Sequence, residues 1–155
     1  MRRKSLADMG CPIACGLDKV GEWWSILILR DVSFGLKRFD EFQKSLGIAP
    51  NMLSKRLDGL VEAGLLEKQL YSEKPPRYEY LPTQAALDFR PVLMALMTWG
   101  NQHFPPAGVD VRLIDRDTGD AVVPVLTDPR NGEPVNQPRY RVKRTAKAAA
   151  PGGAA

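Results

Sequence analysis

Hydrophobic residues repeat at helical spacing in several segments of the first 104 residues of this 155-residue chain. Residues 16–35 are apolar on nearly every side, which predicts one helix that is buried, or buried on one face and paired on another. Residues 37–47 show a short amphipathic pattern, and residues 50–63 carry leucines along one face. Two short helices joined by a tight turn predict a helix-turn-helix.

Two runs rich in leucine and tyrosine follow this helix pair, at residues 65–71 and 77–81. The polar segment between them contains two prolines, so we expect a β-hairpin with a stiff tip. A further helix is predicted from Thr83, its N-cap, with a kink or a break at Pro91. This helix has a second apolar surface, which favours a partner helix, although simple intramolecular packing stays open.

The composition changes after residue 104. Alternating valines and leucines in residues 105–136 predict a small β appendage of two or three strands. Residues 1–10 are interpreted as a flexible basic leader, 11–104 as the main domain, and 137–155 as a disordered basic tail. No apolar run reaches about 18 residues and no secretory signal is evident, so we expect a cytoplasmic protein without membrane contact.

The charge and the rare residue types limit the possible chemistry. The net charge is +4, and neither half of the chain is strongly basic, so any nucleic-acid surface must be a local patch. Two cysteines and one histidine are too few for a zinc site built from those residues alone. The sequence offers no convergent catalytic set of histidine, cysteine or paired carboxylates. We therefore expect no metal, no cofactor and no enzymatic activity.

Polar and basic side chains lie opposite the leucine face at the start of the helix predicted for residues 50–63. Such a mixture suits the DNA major groove, because asparagine pairs with adenine edges while lysine and arginine reach guanine or phosphate. For an isolated helix, a solvated face is the simpler explanation. However, a winged-helix arrangement brings three groups of cations onto one face, which favours DNA binding. The candidate DNA-binding residues are Lys37, Arg38, Asn51, Ser54, Lys55, Arg56, Lys74 and Arg77.

Four segments carry a family resemblance, namely CPIACGLDKVGEWWSILILRDV, RFDEFQKSLGIAPNMLSKRLDGLVEAGLLEK, PPRYEYLPT and PVLMALMTWG. Together, over residues 11–100, they resemble the HxlR-type bacterial winged-helix regulators, a branch near the MarR-type regulators. The resemblance implies a homodimer formed by the N- and C-terminal helices, with two recognition helices on a near-palindromic operator. The expected fold class is mainly α (α+β): a winged helix-turn-helix with N- and C-terminal dimerisation helices and a small C-terminal β appendage.

The chain departs from the family pattern just before the predicted recognition helix. Ala49 stands where family members usually have serine or threonine. Alanine cannot cap a helix, and we expect a cost of about 0.5–2 kcal/mol in local stability. Pro50 offsets part of this cost, because it pre-organises the first helical turn.

The resemblance also concerns cysteine and metal chemistry. Cys11 matches an N-terminal Cys-Pro whose cysteine is a thiol sensor in some members, and Cys15 could resolve an oxidised form. A packing role for Cys11 stays open. Some relatives carry a zinc-ribbon-like hairpin, but Thr118, Asp128 and Asn131 stand here near the expected ligand positions, so no metal is predicted.

The leading hypothesis is a homodimeric regulator that acts as a repressor, binds double-stranded DNA and responds to an unidentified small molecule or oxidant. Two alternatives keep the same fold. One is a protein–protein adaptor that does not bind DNA, since a fold does not determine a function. The other is a redox-sensing regulator that uses Cys11.

Overall fold

The structure, a computed structural model, describes residues 5–143 of the chain. The predicted leader at 1–10 and tail at 137–155 lie partly outside these residues. The chain divides into two compact units, Met1–Val111 and Arg112–Ala155, so the division comes several residues after the predicted boundary at 104.

The first long apolar segment forms two helices, and the prediction of one continuous helix was wrong. After a short 3-10 turn at Ala7–Met9, α1 spans Pro12–Val20 and α2 spans Trp23–Ser33. The break lies at Gly21, whose N–H donates to the carbonyl of Leu17 at 2.7 Å and ends α1. Glycine is a poor helix former, so the backbone turns extended at the next residue before α2 begins.

The predicted helix-turn-helix is formed by α3 at Phe39–Leu46 and α4 at Pro50–Glu62. Gly47 follows α3 with a φ of 61°, a left-handed conformation that suits glycine. Between the two helices only three residues remain. The inner side chains of both helices are almost completely buried in one core, which includes Phe42, Leu53, Leu57 and Leu60 together with Ile28 and Leu66.

The predicted hairpin consists of β1 at Leu66–Glu73 and β2 at Pro76–Pro82, which pair antiparallel. The register shifts at Tyr71, because Leu70 pairs with Tyr78 while Ser72 pairs with Arg77, the next residue back along β2. Tyr80 is buried against the helices and fixes the base of the hairpin. This arrangement of helices and hairpin is a winged helix-turn-helix, which confirms the predicted fold class.

Two helices follow the hairpin, α5 at Gln84–Asp88 and α6 at Arg90–His103. The predicted N-cap is confirmed, because the Thr83 hydroxyl accepts the N–H of Ala86 at 3.4 Å. The break before α6 agrees with the prediction for Pro91, which lies in the first turn of α6. Helix α6 packs against α2. Among the described residues, no helix has the length and apolar character required to cross a membrane.

The second unit contains two short strands, β3 at Leu113–Ile114 and β4 at Ala121–Val122. They are shorter than the alternating valines and leucines suggested. A separate loop is closed by a bridge between Thr127 and Pro134. Inside it the carboxylate of Asp128, which is only 6% exposed, binds the guanidinium of Arg130 at 2.6 Å. This guanidinium holds the pKa of Asp128 below its ordinary value.

Candidate nucleic-acid interface

Helix α4 presents Asn51, Ser54 and Lys55 as exposed side chains. They lie within its first two turns, and the buried leucines occupy the opposite side of the helix. The buried leucines fix the rotation of α4, so Asn51 and Ser54 point away from the core. Lys55 is also exposed, but it borders an open pocket between α4 and the helices α1 and α2. The three side chains form a polar surface that can offer donors and acceptors to a ligand.

Ala49 provides no side-chain cap for α4, as the sequence analysis expected. The carbonyl of Ala49 accepts the N–H of Leu53 at 2.9 Å, and Pro50 occupies the first helical position. The side-chain oxygen of Asn51 accepts the N–H of Met52 at 2.8 Å. Asn51 therefore supplies a first-turn acceptor from inside the helix, a substitute that sequence reasoning missed.

Arg56 does not belong to this exposed surface. Its side chain is only 19% exposed, and its guanidinium forms an ion pair with Glu22 at 3.1 Å. Glu22 is the residue just before α2, so the contact joins α4 to the start of another helix. The predicted position of Arg56 at the edge of the outward face is corrected accordingly, because its charge is directed into an intramolecular pair.

Lys37 and Arg38 lie immediately before α3 and against the base of the hairpin. The ammonium of Lys37 is 3.1 Å from one oxygen of Glu79, and the guanidinium of Arg38 donates to the other at 3.2 Å. The hydrogen bond from Lys37, followed by that from Arg38, holds the pKa of Glu79 below its ordinary value. The Arg38 guanidinium also lies 4.7 Å from the ring centre of Tyr71.

Glu41 orders the same segment from the side of α3. One of its carboxylate oxygens accepts the backbone N–H of Lys37 at 2.8 Å and that of Arg38 at 2.9 Å. These two bonds hold the pKa of Glu41 below its ordinary value. The helix therefore starts after the two cations, and not at them as the sequence suggested.

The tip of the hairpin carries Lys74 and Arg77, both exposed. The turn is stiffened by the Ser72 hydroxyl, which donates to the carbonyl of Pro75 at 3.2 Å. Beside it an open groove of about 410 Å³ runs between the hairpin and α3. Its lining residues are Phe39, Asp40, Tyr71, Pro76, Arg77, Tyr78 and Tyr80. The groove gives this face aromatic walls and a cation near the tip.

Lys68 adds a cation that sequence reasoning missed. Its ammonium lies 4.6 Å from the ring centre of Tyr78 and 3.8 Å from a carboxylate oxygen of Asp58 on α4. The contact with Asp58 connects the hairpin to the helix. Since the pairing depends on strand register, spacing along the sequence offered no signal for it.

Cys11 lies at the N-cap position of α1 and is half-buried, whereas Cys15 is exposed in the following turn. The backbone N–H of Cys15 donates to the carbonyl of Cys11 at 2.9 Å. Within residues 5–143, no three or more side chains of histidine, cysteine, aspartate or glutamate are arranged to hold a metal ion.

Large apolar side chains remain exposed on the helices outside the helix-turn-helix. On α1 and α2, Ile13 and Trp23 are both 74% exposed. On and just after α6, Leu96, Trp99 and Phe104 are exposed, and the Trp99 and Phe104 rings lie 5.1 Å apart. Exposed apolar residues at this density are typical of an interaction surface.

Comparison with known proteins agrees with this geometry. Residues 19–107 match a family described as HxlR-like helix-turn-helix. An uncharacterized HTH-type transcriptional regulator of Mycobacterium tuberculosis is 38% identical over 127 residues, covering 81% of this chain and 80% of that protein.

Two solved structures are similar along most of the chain, and both are described as proposed transcription factors. The structure of PA1607 has a TM-score of 0.80 and 39% identity, and the match covers 92% of this chain and 100% of the PA1607 chain. PA1374 from Pseudomonas aeruginosa has a TM-score of 0.64 and 51% identity, with coverages of 90% and 95%.

Proposed function

Because this chain belongs to the HxlR-like helix-turn-helix family, we propose that it represses transcription as a homodimer bound to a near-palindromic operator. It is a DNA-binding transcriptional regulator and not an enzyme, as the family and the relatives show. The symmetry of the complex, the direction of control, the residues that contact DNA and an action in the cytoplasm are our proposal.

The exposed face of α4 is the observation that carries the proposed DNA contact. A helix with its side chains is about 10–12 Å wide, which matches the width of the major groove. Asn51, Ser54 and Lys55 lie in the first half of α4, and this is the part of a recognition helix that meets base edges. Asn51 would read adenine, while Lys55 would reach guanine or a phosphate.

The hairpin supplies the second proposed contact. Lys74 and Arg77 lie on its exposed tip, and Lys37 and Arg38 lie at its base. An arginine is favoured in a narrow minor groove, where negative potential is concentrated. The base cations would instead bind the phosphate backbone, which sets the register of the protein on DNA but not the sequence it reads.

The exposed apolar surface of α1, α2 and α6 supports a homodimer. Trp23 and Trp99 together with Ile13 and Phe104 would lose their contact with water if a second copy covered them. A two-fold dimer would place two copies of α4 about one helical turn of DNA apart, on the two halves of an operator. Replacing Trp99 with glutamate should give monomers in sedimentation and should weaken binding to the two-half site.

The proposed function is tested by fluorescence anisotropy with the promoter DNA upstream of the protein's own gene, over a range of salt concentrations. Each substitution is present in both protomers of the proposed dimer and removes two phosphate contacts. Lys55→Ala and Arg77→Ala should therefore each reduce the slope of the logarithm of the association constant against log salt by roughly 1.8. Lys55→Ala should also lower discrimination between operator and random DNA. Arg90→Ala is the matched control, because it removes an exposed positive charge that lies outside the proposed DNA contacts. Arg90 is the first residue of α6 and follows the hairpin and α5 in the chain.

The last part of the proposal is an inducer that releases the protein from DNA, and Cys11 is the candidate site at which an oxidant would react. A helix N-terminus stabilises a thiolate, and Cys11 lies at the start of α1, beside the proposed dimer surface. Oxidation there would alter the surface that holds the two copies together. A small molecule bound between the dimer helices would act through the same surface.

A further inference from the structure

Two cations of the proposed DNA-binding surface share one internal carboxylate. Glu79 on β2 is 15% exposed, and its two oxygens are divided between Lys37 at 3.1 Å and Arg38 at 3.2 Å. Glu79 therefore offsets one of these two positive charges, and the carboxylate of Glu41 lies against the same segment. From the sequence alone, both cations would be expected to contact DNA.

The group is fixed by backbone contacts, so it is not an incidental surface pair. The N–H of Tyr80 donates to the carbonyl of Lys37 at 2.7 Å, and Arg38 forms a β-bridge with Glu79. Glu41 binds the backbone N–H groups of Lys37 and Arg38 from α3. The two cationic side chains are therefore anchored at their backbone and at their charged ends.

The donors that Glu79 does not use remain available. An ammonium has three N–H donors and a guanidinium has five. Glu79 binds the Lys37 ammonium and two guanidinium nitrogens of Arg38, Nε and Nη2. The donors left over on the two side chains lie around the same carboxylate, so they can converge on one phosphate group.

We propose that Glu79 is a positioning residue that makes Lys37 and Arg38 act as a single phosphate contact. The carboxylate holds both cations in place and cancels one of their charges. This inference rests on the proposed function. It adds that the affinity for DNA is limited by a negative charge inside the binding surface, and that Lys37 and Arg38 do not act independently.

The first test replaces the carboxylate with its neutral isostere, Glu79→Gln, and measures binding to a fluorescein-labelled duplex of random sequence. Each additional phosphate contact steepens the salt slope by about 0.9. The variant should therefore bind more tightly than wild type at low salt. The change adds one contact in each protomer of the proposed dimer, which is about 1.8 in slope. The variant should therefore lose about 12-fold more affinity between roughly 50 and 200 mM salt, because a fourfold change in salt raised to the power 1.8 is about 12.

Glu67→Gln is the matched control. Glu67 is an exposed carboxylate of β1 in the same hairpin, and its removal changes the net charge of the protein by the same amount. A general charge effect would steepen both salt slopes equally. An increase in the slope of Glu79→Gln alone supports the proposal, and equal slopes for both variants overturn it.

A second test removes the two cations. Lys37→Ala and Arg38→Ala should each lower the slope by about 0.9 per protomer, because either change leaves one cation that Glu79 cancels. Both substitutions are then combined with Glu79→Gln, so that no unpaired carboxylate is left to repel DNA. This triple variant should lower the slope no further than either single variant. Two independent contacts would instead lower it by about 1.8 per protomer, and that result would falsify the shared contact.

The outcomes separate this inference from the proposed function. If wild-type protein shows no salt-dependent binding to DNA, the proposed function fails and takes this inference with it. If wild type binds and Arg77→Ala lowers the slope while Lys37 and Arg38 behave additively, only the role of Glu79 is refuted.

Discussion

The missing cap of α4 leads to a testable expectation about the stability of the recognition helix. Replacing Ala49 with serine places a hydroxyl at the N-cap position, where the backbone is already extended with φ −62° and ψ 139°. A serine oxygen at this position accepts the N–H of the second or third helical residue, here Asn51 or Met52. No backbone movement is needed, so Ala49→Ser should stabilise the protein.

The size of the gain follows from how much capping is already present. Serine in place of alanine at an N-cap is worth about 0.5–2 kcal/mol. Met52 already has the side-chain oxygen of Asn51 at 2.8 Å, so part of this gain exists in the wild-type protein. We therefore expect about 0.5–1 kcal/mol, which raises the midpoint of thermal unfolding by about 1–4 °C in a chain of this size.

The assay is urea unfolding followed by circular dichroism, with Ala49→Val as the control. Valine adds bulk at the same exposed position but has no hydroxyl, and it caps a helix no better than alanine, so no gain is expected from it. Asn51→Ala should also cost less in the Ala49→Ser background, because the hydroxyl takes over Met52. Destabilisation by Ala49→Ser, or strict additivity with Asn51→Ala, would refute this account of the helix start.

Three further predictions concern the rest of the chain. Leu57→Ala should lower the free energy of unfolding by about 2–5 kcal/mol in urea titrations, because Leu57 is completely buried in the core. The pKa of Asp128 is held below its ordinary value of 3.8, so its stabilising effect is present above that pH and is lost as the pH falls further. Hydrogen exchange of the second unit in the full chain should show this acid loss, and Asp128→Asn should remove it. If Cys11 receives an oxidant, diamide should weaken promoter binding by wild type and by Cys15→Ser, but not by Cys11→Ser; equal loss in all three would exclude Cys11.

Sequence pattern predicted most of the first unit because its core is built from regular repeats. The leucines of α4 and the phenylalanines of α3 recur every three or four positions, and the structure buries them together. The break between α1 and α2 was missed, although Gly21 was visible, because apolar residues continue on both sides of it. In the second unit, alternating valines overstated the strands, since alternation does not require pairing along its whole length.

The candidate site was predicted less completely than the fold, and the reason is pairing across long sequence distances. Lys37 and Arg38 were visible as cations, but their shared partner Glu79 lies about forty residues later and depends on the position of β2. Arg56 appeared as a flank of the outward face because helical spacing does not reveal its ion pair with Glu22. Residue type and spacing identify charges, whereas only the folded arrangement shows which charges are neutralised.

This neutralisation bears on how tightly a protein of net charge +4 binds DNA, and not on which sequence it selects. Affinity for any DNA grows with the number of phosphate contacts, whereas specificity is set by contacts to base edges. Glu79 offsets one charge at the base of the hairpin, and Glu22 pairs with Arg56 on α4. We expect both pairs to lower binding to every sequence and to leave the exposed start of α4 unchanged. Glu79→Gln should therefore raise affinity for random DNA and for the operator by about the same factor, whereas Lys55→Ala should lower the ratio between them.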